Sequence, residues 1–179
     1  MERKQICWKF YDTIYSAIVP IAMTSSAQLT NALRHVKGFR GVFASDTLPD
    51  TFRPGESLIV NYDPEGRPGS HWVAMKHAPS GEGLYFDSFG QPPDSEDIIL
   101  HDQTHLGAWL RHHTSKPMRW NHDDLQALSS KTCGDWAATF ILAGALPQDR
   151  AGSKIWRPLM RGSALERDAR VKRFFGPRL

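Results

Sequence analysis

Hydrophobic and polar positions follow two distinct rhythms along this chain. From Ser26 to Lys37 the apolar residues Leu29, Leu33 and Val36 recur on one helical face, with Ser25 or Ser26 placed to cap the first turn and Gly38 to stop the last. This spacing predicts a short helix over 26–37. Next, "GVFASDTLPDTFRPGE" is rich in turn formers around a short strand at Val42 and Phe43. Three strand-like runs follow, 57–62, 71–78 and 84–89, separated by "DPEGRPGS" and "PSGEG". Runs this short, joined by connections that contain glycine and proline, predict an antiparallel meander. Helical spacing returns over 103–113, where Leu106, Trp109, Leu110 and His113 align, and "PMRWN" reads as a further strand. The last long element starts near Cys133, continues through "WAATFILAGAL" and ends at Pro147. Helices and strands are thus segregated, which predicts an α+β fold.

Length and composition narrow the class. A chain of 179 residues has room for one domain, 1–179, with a sizeable core. A hydrophobic content of 40% and a charged content of 23% exclude a disordered chain and a membrane-spanning one. The opening stretch, "MERKQICWKFYDTIYSAIVPIAM", is interrupted by Lys9 and Asp12 and cut by Pro20, so neither a cleaved signal nor a membrane anchor is expected. Cys7 and Cys133, 126 positions apart, make no disulfide framework and match no zinc spacing. A reducing compartment follows. The net charge of +3 is unevenly spread: from Gln148 onward nine Lys or Arg face three acids. The segment 148–179 therefore reads as a basic tail, either a solvated terminus or a surface for phosphates such as those of DNA.

Cys133 is where chemistry enters. An isolated intracellular cysteine is ordinarily an inert small hydrophobe. Here Ser129, Ser130 and Thr132 precede it as candidate caps, which puts the thiol in a first helical turn, where free N–H groups and the helix dipole favour a thiolate. Gly134 removes a side chain next to the sulfur and is expected to let a substrate backbone approach. Asp135 opposes this, adding negative charge at the same helix start.

A thiol nucleophile needs a base, and the base needs an orienting group. Of eight histidines, His101, His105, His112, His113 and His122 lie among polar or helical residues and read as solvated, with "HDQTH" only a weak metal pattern. His71 opens an apolar strand in "GSHWVAM", so its ring projects at a sheet end while Trp72 faces the other way. Asp87 closes the following strand in "LYFDSFG". A short hairpin brings the start of one strand beside the end of the other, making His71 and Asp87 neighbours. Asp63 and Glu82 are less well placed. Gln126, seven residues before Cys133, is a candidate side-chain amide for an oxyanion site beside the Cys133 N–H.

The chain order His, Asp, Gln, Cys, carried by "GSHW", "FDSFG" and "CG", resembles the adenovirus maturation protease (adenain) family and, more remotely, the SUMO-specific and ubiquitin-like-specific cysteine proteases. The seven-residue step from Gln126 to Cys133 is similar to the adenain pattern, as are "GFRGVFASDTLP" and the "IVN" twelve residues ahead of His71. The likeness covers roughly residues 38 to 145. It implies Cys133 as nucleophile, His71 as general base and acid, Asp87 as orienting carboxylate and Gln126 as oxyanion donor. It also implies a papain-like, adenain-like arrangement in which the cysteine helix packs on an antiparallel central sheet.

The resemblance implies a cysteine endopeptidase that cleaves capsid precursor proteins during virion maturation, acting as a monomer in the virion and host nucleus. It needs no cofactor for the chemistry. Adenain-like enzymes are activated by DNA, for which the basic tail is a candidate, and by a viral peptide. No cysteine lies between His71 and Cys133 to receive that peptide through a disulfide, so a non-covalent strand addition is the form left open. Asp135 stands where the family commonly has an apolar residue, and the region after Pro147 is much shorter than in the adenovirus enzyme. Two other functions are compatible with the same residues: a deubiquitinating or deSUMOylating protease acting on host conjugates, and an idle DNA- or capsid-binding protein.

Overall fold

The computed structural model describes residues 24–93 and 105–175. The opening stretch weighed above as a signal or anchor, Cys7, His101 and the first two residues of the predicted 103–113 helix lie outside the described residues.

The first helix, α1 (Ser26–Leu33), starts where its capping residues dictate: the Ser25 hydroxyl accepts the Gln28 N–H, and the Gln28 side chain accepts the Ser25 N–H in return. It is shorter than the predicted 26–37. Leu29 and Leu33 are fully buried, and Val36 reaches the same core from the turn that follows. Five strands come next: β1 (Phe39–Phe43), β2 (Ser57–Asn61), β3 (Trp72–His77), β4 (Glu82–Phe86) and, after helix α2 (His105–His113), β5 (Lys116–Trp120). Helix α3 (Cys133–Ala143), which opens on the predicted nucleophile, is followed by a short 3-10 turn (Arg150–Gly152) and helices α4 (Ser153–Leu159) and α5 (Ala164–Phe175).

The strands lie in sequence order in one sheet. β2, β3 and β4 form the expected antiparallel meander, Ile59 opposite Ala74 and Ala74 opposite Phe86. The sheet as a whole is mixed, because β1 runs parallel to β2 and β5 parallel to β4. The expectation of an antiparallel sheet thus holds only for its centre. The physical reason is connection length: tight hairpins force antiparallel neighbours, whereas the long β1–β2 loop and the helical excursion from β4 to β5 allow the chain to return in the same direction.

Both faces of the sheet are covered. Ile59, Trp72, Ala74, Leu84 and Phe86 meet α1, α3, α4 and α5 on one side, while Leu58, Val60, Val73, Met75 and Tyr85 meet Leu106 and Leu110 of α2 on the other. That is why every residue of β2 is buried. Each fully buried Leu or Phe contributes about 1.5–3 kcal/mol of burial free energy. Helix α3 is buried from Cys133 to Ile141 and packs mainly on β3. It ends at Gly144, not at Pro147: that glycine takes φ 66°, a left-handed conformation, and its N–H returns to the Phe140 carbonyl at 2.9 Å. Lys76 of β3 donates to the Gly144 carbonyl at 2.7 Å, which ties the end of α3 to the sheet.

The basic segment after Gln148 is largely no tail. Trp156 and Leu159 of α4 and Val171 and Phe175 of α5 are buried in the same core as α3. Most of its basic residues, among them Lys154, Arg157, Arg161, Lys172 and Arg173, remain exposed.

Candidate active site

His71 is the residue just before β3, and Asp87 is the residue just after β4. The β3–β4 register, Ala74 opposite Phe86, sets these two ends side by side. The imidazole Nε2 donates to Asp87 Oδ1 at 2.9 Å, and both side chains are almost wholly buried. The side chain of Cys133, the first residue of α3, lies close enough to the His71 ring to act on it. With Nε2 committed to Asp87, Nδ1 is the ring atom left for the sulfur. The structure therefore brings three of the four predicted residues together: carboxylate, imidazole and thiol.

Burial is the largest influence on His71 and would lower its pKa, since a cation is disfavoured away from water. The charge of Asp87, its hydrogen bond, and the bond and negative charge of Cys133 act the other way and raise the imidazole to about 10. Asp87 and Cys133 thus favour the protonated ring where burial alone would disfavour it.

Asp87 is held from several directions that the sequence did not advertise. Its Oδ1 also accepts the Phe89 N–H at 2.8 Å, and its Oδ2 accepts the Tyr62 hydroxyl at 2.9 Å. The buried Asn121 side chain grips the Asp87 backbone on both sides, accepting its N–H at 3.0 Å and donating to its carbonyl at 2.6 Å. Phe89 stacks on the His71 ring at 5.2 Å, and Tyr62 meets it edge-on at 5.0 Å. Tyr62 closes the buried run of β2, and Asn121 follows directly on β5. Only their position next to strand ends hinted at a role.

Gln126 lies in the loop before α3 and is 3% exposed. Ser88 Oγ donates to its Oε1 at 2.8 Å, and its Nε2 donates to the Ser130 carbonyl at 2.8 Å. An amide nitrogen carries two hydrogens, so one remains for another acceptor. The Gln126 N–H also bonds the Ser88 carbonyl at 3.1 Å, which fixes this loop against the turn that follows Asp87.

Two local expectations change. Gly134 faces the core: a Cβ there would lie 3.0 Å from Thr24 Cβ and 3.1 Å from Trp72 Cδ1. Its glycine admits Trp72, whose Nε1 donates to the Thr24 carbonyl at 2.9 Å, and leaves no opening for a substrate backbone. Thr132 occupies the N-cap position of α3 but makes no side-chain cap bond. Its hydroxyl donates instead to Asp168 at 2.7 Å. Asp135 is buried, accepts from Thr24 Oγ1 at 3.2 Å through Oδ2, and leaves Oδ1 without a partner. Burial pushes the Asp135 carboxyl up, against the Thr24 hydrogen bond and the charge of Lys172.

The histidines read as solvated divide. His105 donates to the Ser45 carbonyl at 2.6 Å, and His113 faces the Trp109 and Asp50 carbonyls at 2.8 and 3.1 Å, so both tether the β1–β2 loop or their own helix. His112 and His122 are exposed. The buried His77 holds the Phe52 carbonyl at 2.8 Å. Among the described residues no group of three or more His, Cys, Asp or Glu is placed to hold a metal, and no helix is long and apolar enough to cross a membrane.

No protein-family model matches this chain. No curated protein matches it either.

Proposed function

We propose that this chain is a cysteine endopeptidase of the adenain type, with a papain-like pairing of nucleophile helix and sheet, that cleaves capsid precursor proteins during virion maturation. One observation carries it: the buried His71 ring is held by Asp87 at 2.9 Å on one nitrogen and lies beside the Cys133 side chain at the start of α3. A buried imidazolium between an acid and a thiol is what an acyl-transfer thiolate requires.

In this reading the Cys133 thiolate attacks the carbonyl carbon of the scissile peptide bond. The developing oxyanion takes the free amide hydrogen of Gln126 and the Cys133 N–H, which lies in the first turn where no intrahelical carbonyl reaches it. The C–N bond breaks as His71 gives its proton to the departing amine, leaving a thioester on Cys133. Water, deprotonated by the now neutral His71, attacks the thioester; the acid product leaves, and the thiolate and imidazolium are restored. Asp87 holds the ring in orientation throughout. The chemistry needs no metal or cofactor. Activation by DNA belongs to the proposal and rests on the exposed Lys and Arg of α4 and α5, and it predicts stimulation that fades as salt rises. The site of action that goes with it is the virion and the host nucleus.

The test is cleavage of peptides with small, glycine-containing junctions from capsid precursors, run beside Gly-Gly-terminated modifier fusions. C133A is expected to abolish cleavage and, with Cys7 the remaining thiol, to lower iodoacetamide labelling near neutral pH. Equal cleavage by C133A overturns the proposal, and a preference for the modifier fusions turns the substrate class to ubiquitin-like conjugates.

A further inference from the structure

Helix α5 reaches back to the loop that carries Gln126, and it does so through two adjacent residues. Asp168 is 5% exposed and accepts three hydrogen bonds: Thr132 Oγ1 at 2.7 Å and Trp136 Nε1 at 2.8 Å on Oδ1, and the Ala127 N–H at 2.9 Å on Oδ2. Arg167 donates to the Leu125 carbonyl at 3.2 Å and to the Asp124 carbonyl at 3.0 Å. Gln126 therefore sits between a carbonyl held by Arg167 and an N–H held by Asp168. From the opposite side, Ser88 takes its N–H and donates to its side chain.

The same carboxylate also reaches the nucleophile. Thr132 directly precedes Cys133, and its hydroxyl goes to Asp168 in place of the cap bond such a residue ordinarily makes. Ser130 joins the chain of bonds through Thr132 Oγ1 at 3.0 Å, and its carbonyl receives the Gln126 amide at 2.8 Å. Trp136, one turn into α3, is fully buried. One buried acid thus fixes both the amide-bearing loop and the first turn of the nucleophile helix. A group this buried, with every contact a donor from those two segments, is poorly explained as a surface charge.

We infer that Asp168, with Arg167, is a positioning residue that holds Gln126 in register with Cys133 for oxyanion stabilisation; this rests on the protease reading above. Misplacing an oxyanion donor slows acyl transfer, whereas alkylation of a thiolate by iodoacetamide develops no oxyanion and does not need it.

The experiment compares D168N, T132V, T132S and R167A with wild type by peptide hydrolysis, iodoacetamide alkylation of Cys133 and hydrogen exchange over 124–132. D168N keeps the volume but turns an amide toward the Ala127 N–H or the Thr132 hydroxyl. It is expected to lower kcat by about 10-fold or more with a smaller change in KM, to leave alkylation within about 2-fold, and to speed exchange in 124–132. T132V is expected to follow it in kcat and T132S to recover. On a Q126A background D168N is expected to add little, because both act through one amide. R167A keeps the readout available if D168N does not fold, with the same pattern expected at smaller size. Unchanged exchange over 124–132 in the folded variants overturns the clamp. Hydrolysis and alkylation falling in parallel, or a full D168N effect on the Q126A background, overturns positioning through Gln126. A wild-type chain that hydrolyses no peptide overturns the protease reading instead, and the exchange measurement still decides the clamp.

Discussion

The hydroxyl of Tyr62 lies 2.9 Å from Asp87 Oδ2, while His71 Nε2 lies 2.9 Å from Oδ1 of the same carboxylate. The two buried rings divide the acid between them. Burial, followed by the charge of Asp87, pushes the Tyr62 phenol well above its ordinary range, so it stays protonated and always donates. Y62F removes that donor and leaves a buried carboxylate oxygen unpaired. The expected loss is about 1–3 kcal/mol of stability, read by urea unfolding. A neutral result would mean that Asp87 is satisfied without Tyr62.

Asp87 raises His71 by charge and by a hydrogen bond, against the opposing effect of burial. D87N keeps the shape but removes the charge, so burial, opposed now by Cys133 alone, pulls the ring down. Less imidazolium at pH 6 means less support for a thiolate on Cys133. Iodoacetamide labelling of Cys133 at pH 6 is expected to fall by about 10-fold or more in D87N. Labelling that persists at the wild-type rate would detach the carboxylate from the thiol's reactivity.

The same shift sets a pH dependence of stability. A histidine raised from 6.5 to about 10 binds its proton more tightly folded than unfolded. Its stabilising contribution is full below the unfolded value, declines as pH rises between the two, and is gone above about 10. The slope for one group is at most about 1.4 kcal/mol per pH unit. The difference in unfolding free energy between wild type and H71Q is therefore expected to be widest near pH 6 and to narrow toward pH 10. A difference that widens with pH would reverse the assignment.

How much of this was legible in the sequence depended on whether a signal was local. The meander and the pairing of His71 with Asp87 follow from strand rhythm and a short hairpin, both written in adjacent residues. The parallel edges do not, because they depend on where β1 and β5 dock after long excursions. Nor did any local signal link Thr132 to Asp168, 36 positions away, or Asn121 to the backbone of Asp87. Ser, Thr and Asn near helix starts suggest caps, and here Thr132 took a distant carboxylate instead. The basic charge after Gln148 hid a second pattern: Trp156, Leu159, Val171 and Phe175 form its buried side.

Gly134 is the position where sequence and structure give opposite meanings to one residue. Read locally, it clears space beside the sulfur; in the fold, it clears space for Trp72 and Thr24. An alanine here gains helix propensity of about 1 kcal/mol, but its Cβ would lie 3.0 Å from Thr24 Cβ and 3.1 Å from Trp72 Cδ1. Trp72 has little room to yield, since its Nε1 is bonded to the Thr24 carbonyl at 2.9 Å. Overpacking of this kind costs about 1–3 kcal/mol, so G134A is expected to be less stable than wild type and to shift the tryptophan fluorescence. Cys133 labelling should fall only as far as the first turn of α3 moves. A G134A chain that melts higher than wild type would show that Trp72 gives way and that the glycine is not there for packing.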